Sequence, residues 1–447
     1  MVKSHSVHVC RDCGTTAPRW TGRCGGCGAW NTLDEARTVG GARHGQTLST
    51  TSLDAVGDAS GDLRSTGVGE LDRVLGGGVV AGSTTLLFGE PGVGKSTLAL
   101  MALRATAQTA APVLLIAAEE SPAQVAQRAR RMGPIPAGLD VASTTDVAAA
   151  EQLLAERRPV LAVVDSISAM SDGALASVAG SVPQVRHAAE RLCAVAKATG
   201  SALVLVGHVT KDGELAGPRT LEHLVDTVIR VEGDRLGSLR FLRAVKHRFG
   251  PTGEVGLLEM VPEGLRDLPD AALSQRGPQL DVPGVVFSVT NDGSRSLLVE
   301  IQALVAASAG SPRRVAHQVS SQRLALLLAV LEARCAVVTS ASDVFAATAG
   351  GLPANEPGVD VAVALAVASA ALNFAVARSV AAVGEVGLAG ELRAVSGLSR
   401  RVREAQRLGA AAVIVPREGE LEPVSGLIVH RCASLTEAIV AARLDTK

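Results

Sequence analysis

A glycine-rich segment that ends in a lysine and hydroxyl residues lies between an apolar run and an amphipathic run. Its residues are Gly89, Glu90, Pro91, Gly92, Val93, Gly94, Lys95, Ser96 and Thr97. Glycines let backbone N–H groups turn toward a phosphate, and the positive end of a helix dipole stabilises it. Lys95 is expected to reach the β- and γ-phosphates, and the Ser96 hydroxyl to ligate Mg²⁺. The segment therefore predicts an ATP-binding phosphate loop.

Polar side chains follow three further apolar runs. Asp165 is expected to hold the Mg²⁺ shell, although a lone Asp there is often a helix cap. Glu119 and Glu120 end the next run after the loop, and we favour Glu119 as the group that orients the attacking water. His208 follows another run and is expected to sense the γ-phosphate. Solvated acids and a core histidine are the alternatives. Open α/β sheets bind ligands at the carboxyl ends of their strands, so these side chains predict one site.

Two Cys-x-x-Cys pairs near the N-terminus are separated by ten residues, and their members are Cys10, Cys13, Cys24 and Cys27. Each pair can close a tight turn, and four thiolates around one ion suit structural Zn²⁺. A redox-active pair is the alternative, and His5 or His8 is a conceivable substitute for one thiolate. The apolar core of this segment is too small to fold alone, so we expect folding to require the metal.

Composition restricts the class of protein. The chain has 447 residues, which predicts two or three domains, and 47% of them are hydrophobic. The net charge is -1, so nucleic-acid contacts would need local basic patches or an oligomer. Aromatic residues are only 2%, which argues against a base-stacking platform. The N-terminus has no signal-peptide pattern, apolar runs are too short for membrane spans, and the cysteines fit a reducing compartment, so we expect a cytoplasmic protein.

The pattern along the chain predicts an α/β fold with a mostly parallel sheet, flanked by smaller domains. We place a four-cysteine module at 1–32, a linker at 33–65, an ATPase domain at 66–270 and an α+β domain at 271–447. Predicted strands of the ATPase domain are Thr84–Phe88, Val113–Ala117, Val160–Val164 and Ala202–Val206. Its predicted helices are Gly94–Thr106 and one that begins with a capping box at Ser181-Val182-Pro183-Gln184 and ends near Thr199.

The C-terminal domain has its own pattern of strands and helices. Predicted strands are Val285–Val289, Leu297–Ala303 and Ala412–Val415, and predicted helices are Gln322–Arg334, Val359–Leu372 and Arg400–Leu408.

Several motifs together carry a resemblance to known families. The segment Thr66–Gly78, which leads into the phosphate loop, resembles the opening of RecA-superfamily ATPase cores. With the four cysteines, Val206–Gly213 and Lys246-His247-Arg248-Phe249-Gly250, essentially the whole chain resembles the RadA (Sms) family of bacterial DNA repair proteins. That family's pentapeptide is Lys-Asn-Arg-Phe-Gly, so His247 is a departure. Only histidine can gain charge near neutral pH, so pH-sensitive coupling is a hypothesis.

The resemblance implies a DNA-dependent ATPase. In ring-forming relatives such as the DnaB helicase, a similar Lys-x-Arg pair reaches the neighbouring subunit's phosphates, a role implied here for Lys246 and Arg248. A solvated basic strand end is the alternative. A hexameric ring is implied that binds single-stranded and branched DNA and drives branch migration with the RecA recombinase. The rival hypotheses are an ATP-switched scaffold that recruits a helicase or RecA, and a signalling ATPase that phosphorylates itself.

Candidate DNA contacts lie on polar loops and in basic clusters. Two polar loops, Ser171–Ser181 and Lys211–Arg219, follow sheet strands and suit a central channel. Their cations and the nearby helix supply the candidates Arg186, Lys211 and Arg219. A basic surface is the hypothesis for the C-terminal cluster Arg313, Arg314, Arg400, Arg401 and Arg403, with solvated charges as the alternative. Phosphate contacts of this kind would make binding salt-dependent.

The segment Gly384–Arg393 resembles a hairpin of the Lon protease domain, whose members use a Ser–Lys dyad. Glycine occupies the nucleophile's position, in Pro357-Gly358-Val359-Asp360. The lysine's position, after Ser396-Gly397-Leu398, holds Ser399. With both dyad residues missing, we expect a scaffold for ring assembly and DNA binding, not a protease.

Overall fold

The computed structural model describes residues 6–11, 15–37, 63–208, 218–233, 238–268 and 281–444. The chain divides into two compact units, residues 1–58 and 59–447.

The N-terminal unit contains a small antiparallel sheet. Its strands are β1 (Ser6–Cys10), β2 (Thr16–Ala17) and β3 (Leu33–Arg37), in the order β2-β1-β3. Cys10, Cys24 and Leu33 form its buried core, with Ala17 packed against them. A core of this size buries little apolar surface, which is typical of modules that a metal holds together. Strand β3 follows residue 32, so the folded module extends beyond the predicted boundary.

The second unit begins with a nine-stranded α/β sheet. Outside it, β4 (Leu63–Arg64) pairs with β5 (Val79–Val80). The strands of the large sheet are β6 (Thr84–Gly89), β7 (Val113–Ala117), β8 (Leu139–Ser143), β9 (Leu161–Asp165), β10 (Ala202–His208), β11 (Thr227–Gly233), β12 (Leu239–His247), β13 (Val255–Val261) and β14 (Gly264–Asp267). The helices are α1 (Gly69–Val74), α2 (Lys95–Gln108), α3 (Pro122–Arg131), α4 (Val147–Arg157), α5 (Val182–Thr199) and α6 (Pro218–Leu221).

The order of the large sheet is β14-β13-β12-β11-β6-β10-β9-β7-β8. The strands from β11 to β8 run parallel, and β12, β13 and β14 continue as an antiparallel extension. Both faces are covered: Leu86 and Leu87, neighbours on β6, belong to two different buried clusters. This explains the continuous apolar runs of the central strands, and the predicted mostly parallel α/β fold is confirmed.

Helix α5 begins at Val182 as predicted, but the predicted capping box does not form. The Ser181 side chain makes no capping hydrogen bond. The Gln184 amide turns instead toward the preceding loop, where its oxygen accepts from the Asp172 N–H (2.9 Å) and its nitrogen donates to the Asp172 carbonyl (3.1 Å). The residue spacing was right for a box, but a nonlocal loop competes for the same side chain.

The C-terminal part of the second unit is an α+β domain. Its strands are β15 (Val285–Asp292), β16 (Arg295–Ala307), β17 (Arg314–His317), β18 (Ser342–Thr348), β19 (Val380–Ala382), β20 (Glu385–Val386), β21 (Leu392–Arg393), β22 (Ala412–Pro416) and β23 (Ile428–Cys432). Its helices are α7 (Ser321–Cys335), α8 (Asp360–Leu372), α9 (Leu398–Arg407) and α10 (Leu435–Leu444). The seven-stranded sheet has the order β17-β18-β16-β15-β19-β22-β23, and β20 pairs with β21. Helix α8 is buried over most of its length because it is apolar on every side.

The α/β sheet and the C-terminal domain share one hydrophobic core. Phe241 and Leu257 belong to the same buried cluster as Val299 and Leu365. The Glu70 carboxylate accepts from the Arg295 guanidinium at 2.5 Å, and both side chains are buried. Within the described ranges, no helix combines the length and apolar character that crossing a membrane requires.

Candidate functional site

The sheet register places the predicted nucleotide-site residues together at the carboxyl ends of the parallel strands. His208 pairs with Gly89, the last residue of β6, and Val206 pairs with Asp165, the last residue of β9. Ala117, at the end of β7, also pairs with Asp165. Strands β10 and β9 lie between the loop strand and β7, so Glu119 reaches the site from across two intervening strands.

The phosphate loop has the backbone shape that anion binding requires. Gly92 and Gly94 have φ angles of 79° and 107°, which favour glycine, and Gly94 is the N-cap of α2. A Cβ at Gly89 would lie 2.3 Å from the Val231 carbonyl oxygen, so no side chain fits there. The buried Arg240 on β12 donates from Nε to the Val93 carbonyl at 3.0 Å and braces the loop.

The Lys95 side chain is folded against its own loop. Its Nζ donates to the carbonyl oxygens of Gly89 (2.8 Å) and Glu90 (2.9 Å). Burial lowers the pKa of Lys95, and the charges of Asp165 and Glu119 oppose this change. A buried cation beside glycine N–H groups at a helix N-terminus is suited to bind the phosphate chain of a nucleoside triphosphate.

Glu119 and Glu120 have different partners. Glu119 accepts a hydrogen bond from the Ser166 hydroxyl, and its Oε1 lies 3.7 Å from His208 Nε2. Glu120 pairs with Arg128 at 2.8 Å, and the same guanidinium lies 3.9 Å from the Asp165 carboxylate. Glu119 is therefore the carboxylate that neighbours the His208 strand, whereas a cation holds Glu120.

Sequence reasoning missed Arg128, Ser166 and Arg240. Arg128 had a detectable signal because it follows the buried Val125 by three residues and so shares the inward side of α3. Arg240 lies on a strand far from the loop in sequence, and only the sheet order brings it to Val93.

Lys246 and Arg248 lie beside the amino end of β6, whereas the phosphate loop of the same chain follows its carboxyl end. We call these two ends of the parallel strands the opposite edge and the loop edge. Thr227 pairs with Thr85 at the start of β6 and also with His247. With about 3.3 Å per residue, the start of β6 is roughly 13 Å from Gly89. Lys246 Nζ donates to the carbonyls of Glu222 (2.6 Å) and Val225 (2.7 Å), and Arg248 pairs with Asp226 at 2.9 Å. Burial lowers the pKa of Lys246.

His247 is built into the sheet edge beside these cations. Its Nδ1 lies 3.0 Å from the Thr227 hydroxyl, and a Cβ added at Gly76 would lie 3.5 Å from its Nε2. Burial lowers the pKa of His247, although a hydrogen bond that the ring donates to the Leu75 backbone raises it in part. The shift moves titration away from neutral pH and argues against the hypothesis of charge gain there.

Three of the four predicted zinc ligands come together. The Sγ atoms of Cys10, Cys24 and Cys27 lie within 4.8 Å of one another, and Cys13 and His5 lie outside the described residues. Cys10 Sγ is 3.2 Å from the Thr32 hydroxyl, and the Gly26 N–H donates to Cys24 Sγ at 3.4 Å. Clustered sulfurs with N–H and O–H donors around them fit a thiolate-bound metal. His8 is not part of this cluster.

The candidate DNA contacts fall into different environments. Lys211 lies outside the described residues, as does the side chain of Arg219, and Arg186 pairs with Glu190 at 2.8 Å on an exposed helix face. The prediction of a surface role for Arg401 is wrong, because its side chain is 0% exposed. The other cations of its cluster also have partners within the chain: Arg313 with Asp343, Arg314 with the Thr339 carbonyl, Arg400 with the Ser294 carbonyl and Arg403 with Glu422.

Arg401 fills the space beside Gly358, the residue that the sequence resemblance aligns with the Lon nucleophile. A Cβ at Gly358 would lie 2.6 Å from Arg401 Nη1. The guanidinium makes two hydrogen bonds with Glu356, at 2.5 and 2.6 Å, and donates to the Val289 carbonyl at 2.7 Å. Burial raises the pKa of Glu356, but hydrogen bonds from Arg401 and the Asn291 N–H outweigh it and lower the pKa overall. Ser399 turns away to the Glu420 carbonyl.

Three segments of the chain match known domain families. Residues 62–214 match the AAA domain, residues 8–35 the rubredoxin metal binding domain, and residues 334–427 the Lon protease (S16) C-terminal proteolytic domain. The first match supports ATP binding and hydrolysis, and the second, with the cysteine cluster, supports zinc.

Relatives match the chain over nearly its full length. "DNA repair protein RadA" of Mycolicibacterium smegmatis is 42% identical, over 99% of this chain and 97% of its own length. The proteins of the same name from Pseudomonas aeruginosa and Bacillus subtilis are 41% and 40% identical, and the matches cover 99% and 98% of this chain and 99% of each relative. Since the domains, their order and the full-length identity agree, this chain belongs to the RadA family of DNA repair proteins.

Proposed function

We propose that this chain is a DNA-dependent ATPase of recombinational repair. It binds single-stranded and branched DNA and drives branch migration, extending strand exchange together with the RecA recombinase. The full-length relatives named for DNA repair and the AAA domain match support this proposal. The observation that carries the proposed ring-forming ATPase is the separation of its catalytic groups between the two ends of the parallel strands.

The loop edge supplies one half of the active site. Lys95 leaves its two loop carbonyls for the β- and γ-phosphates, and the Gly89–Thr97 backbone holds the phosphate chain. Ser96 and Asp165 would hold Mg²⁺, which neutralises charge on the phosphates when bound. Glu119 orients the attacking water, since Glu120 is held by Arg128. His208, within 3.7 Å of Glu119, senses the state of the γ-phosphate.

The opposite edge supplies the other half to a neighbouring subunit. Lys246 and Arg248 cannot reach the loop of their own chain, because β6 separates them from it along its length. The Arg248 side chain is exposed and pairs with the Asp226 carboxylate, a partly exposed ion pair that is weak enough to exchange for a phosphate. A closed ring, which we propose to be a hexamer, would place each such edge against the next loop.

We infer that the Lon-like domain acts in ring assembly and DNA binding and does not hydrolyse peptides. The Arg401–Glu356 pair occupies the space beside Gly358, where a nucleophile would project. The guanidinium is fully buried and the carboxylate that holds it is partly exposed, so the pair itself takes up the space that a nucleophile would need.

A subunit-mixing experiment tests the divided site. Lys95→Ala subunits keep the cationic edge, and Arg248→Ala subunits keep the loop, so mixed rings contain interfaces with both halves intact. We expect ATPase activity of the mixture to exceed that of either variant alone. A mixture that never exceeds the sum of its parts, although the subunits co-assemble, would contradict a role in trans.

The DNA function is tested by the ATPase rate with and without single-stranded DNA, measured beside branch migration on a labelled three-strand substrate. We expect DNA to stimulate hydrolysis and hydrolysis to move the branch. Stimulation without branch movement would favour the ATP-switched scaffold over the motor.

A further inference from the structure

The two tryptophans of the chain lie together on the surface of the N-terminal unit. Trp20 is 55% exposed and Trp30 70% exposed, and the sequence contains no other tryptophan and no tyrosine. A Cβ added at Gly22 would lie 3.7 Å from Trp30 Cζ3 and 3.9 Å from Trp20 Cη2. Both indoles therefore approach one point above Gly22, and we call Arg19, Trp20, Gly22, Arg23 and Trp30 the tryptophan face.

Neither ring is explained by the core of the module. That core consists of Cys10, Cys24 and Leu33, with Ala17 packed against it. Large aromatic side chains normally stabilise a fold by being buried, and the two exposed indoles do not contribute in this way. A pair left on the surface therefore indicates a binding partner.

The surroundings of the rings favour a nucleic acid over a protein. The Arg23 guanidinium lies 5.8 Å from the Trp30 ring centroid, and Arg19 is exposed beside Trp20. Thr21 and Asn31, which follow the two tryptophans in sequence, are also exposed. Within the described residues of this unit, the exposed large hydrophobic side chains are these two indoles alone. A protein interface usually buries a wider apolar centre of several side chains, whereas two adjacent aromatic rings flanked by cations suit stacked bases and phosphates.

We propose that the tryptophan face is a stacking platform for the bases of single-stranded nucleic acid. Trp20 and Trp30 stack on bases, and Arg19 and Arg23 contact the adjoining phosphates. The inference rests on the proposed DNA-binding function and names a surface for it. It also revises the expectation from composition: aromatic residues are few, but the two largest share one face.

Intrinsic fluorescence of the full-length, zinc-loaded chain tests the proposal directly. Because both tryptophans lie in the N-terminal unit and tyrosine is absent, indole emission reports on this face alone. We expect oligothymidylate to quench the emission saturably, in parallel with the anisotropy of the labelled oligonucleotide. Trp30→Ala should weaken binding by roughly 5- to 100-fold, Trp20→Ala similarly, and Trp30→Phe by much less, because a phenyl ring still stacks.

The controls separate stacking from folding. Ile135→Ala removes an exposed apolar side chain of the ATPase domain to which no DNA contact is assigned, and it should leave DNA affinity unchanged. Zinc content of the tryptophan variants should match the parent, which shows that the module remains folded. Oligonucleotide binding without quenching, and with full affinity in Trp30→Ala, would overturn the stacking platform alone and leave the face to a protein partner. No binding by the parent chain would overturn the proposed function as well.

Discussion

Gly92 in the phosphate loop and Gly358 in the Lon-like domain differ in the space beside their Cα atoms. Around Gly92, in the phosphate loop, no other atom lies within 4 Å of an added Cβ. At Gly358 a fully buried guanidinium occupies that space and is tied to Glu356 and the Val289 carbonyl. The space beside Gly92 is therefore open to a ligand. In the Lon-like domain, the Arg401 side chain occupies the space beside Gly358, and its ion pair with Glu356 stabilises the local structure.

The largest effect should come from the loop. Lys95→Ala removes the cation that neutralises the transferred phosphate, so we expect ATP turnover to fall by at least roughly 10²- to 10³-fold. Phosphate release under saturating ATP measures it. Circular dichroism should stay unchanged, and substantial turnover in this variant would contradict the nucleotide site as described.

Substitutions beside Gly358 should change the free energy of unfolding and leave ATP turnover unaffected. Arg401→Ala leaves the Glu356 carboxylate without its partner, and we expect a loss of about 3 kcal/mol in the free energy of unfolding, because Glu356 keeps some solvent contact. Urea unfolding of the full-length chain measures it. Arg403→Ala on the same helix breaks only an exposed pair with Glu422 and should change stability by less than about 1 kcal/mol. Equal effects of the two variants would show that burial of the pair is unimportant.

Restoring the missing serine sharpens the comparison further. The Gly358→Ser side chain collides with the paired Arg401 guanidinium, so we expect a loss of about 1–3 kcal/mol and no peptidase activity. Gly310→Ser is a matched control, because no atom lies within 4 Å of its added Cβ. Casein hydrolysis by the Gly358→Ser variant would contradict the view that this position is closed.

A smaller effect is expected where a cation assists the loop without contacting the phosphates. Arg128→Gln frees Glu120 and removes charge near Asp165, and we expect kcat to fall by up to about tenfold with little change in the KM for ATP. Arg130→Gln, exposed on the same helix, is the control. A change in KM alone would indicate that Arg128 acts on binding and leaves the glutamates unaffected.

The smallest effect concerns acid pH. The lowered pKa of Glu356 means that its contribution to stability is fully present above its ordinary value near 4.5 and is lost as pH falls through the folded pKa. The parent should therefore lose more stability on acidification than Arg401→Ala, in which the ion pair is already absent. Urea midpoints at neutral and acid pH measure this, and parallel pH profiles would contradict the coupling.

Local patterns predicted much of the fold. The strand Val113–Ala117 has the predicted bounds, and helix α5 spans 182–199 as expected, since continuous apolar runs and turn residues act over a few neighbours. The missing capping box at Ser181 shows the limit of this reasoning. The Gln184 amide instead forms hydrogen bonds with the backbone of Asp172, which lies twelve residues earlier in the preceding loop.

The sequence by itself determined which groups are available: a phosphate loop with Lys95, two cysteine pairs, and glycine in place of a nucleophile at 358. Each depends on residue type and short spacing. Only the tertiary structure decided how these groups are used. Sheet order set Lys246 and Arg248 at the edge away from the loop, and nonlocal packing paired Glu120 with Arg128 and buried Arg401 beside Gly358. Those relations join residues far apart in the chain, so no local pattern could carry them.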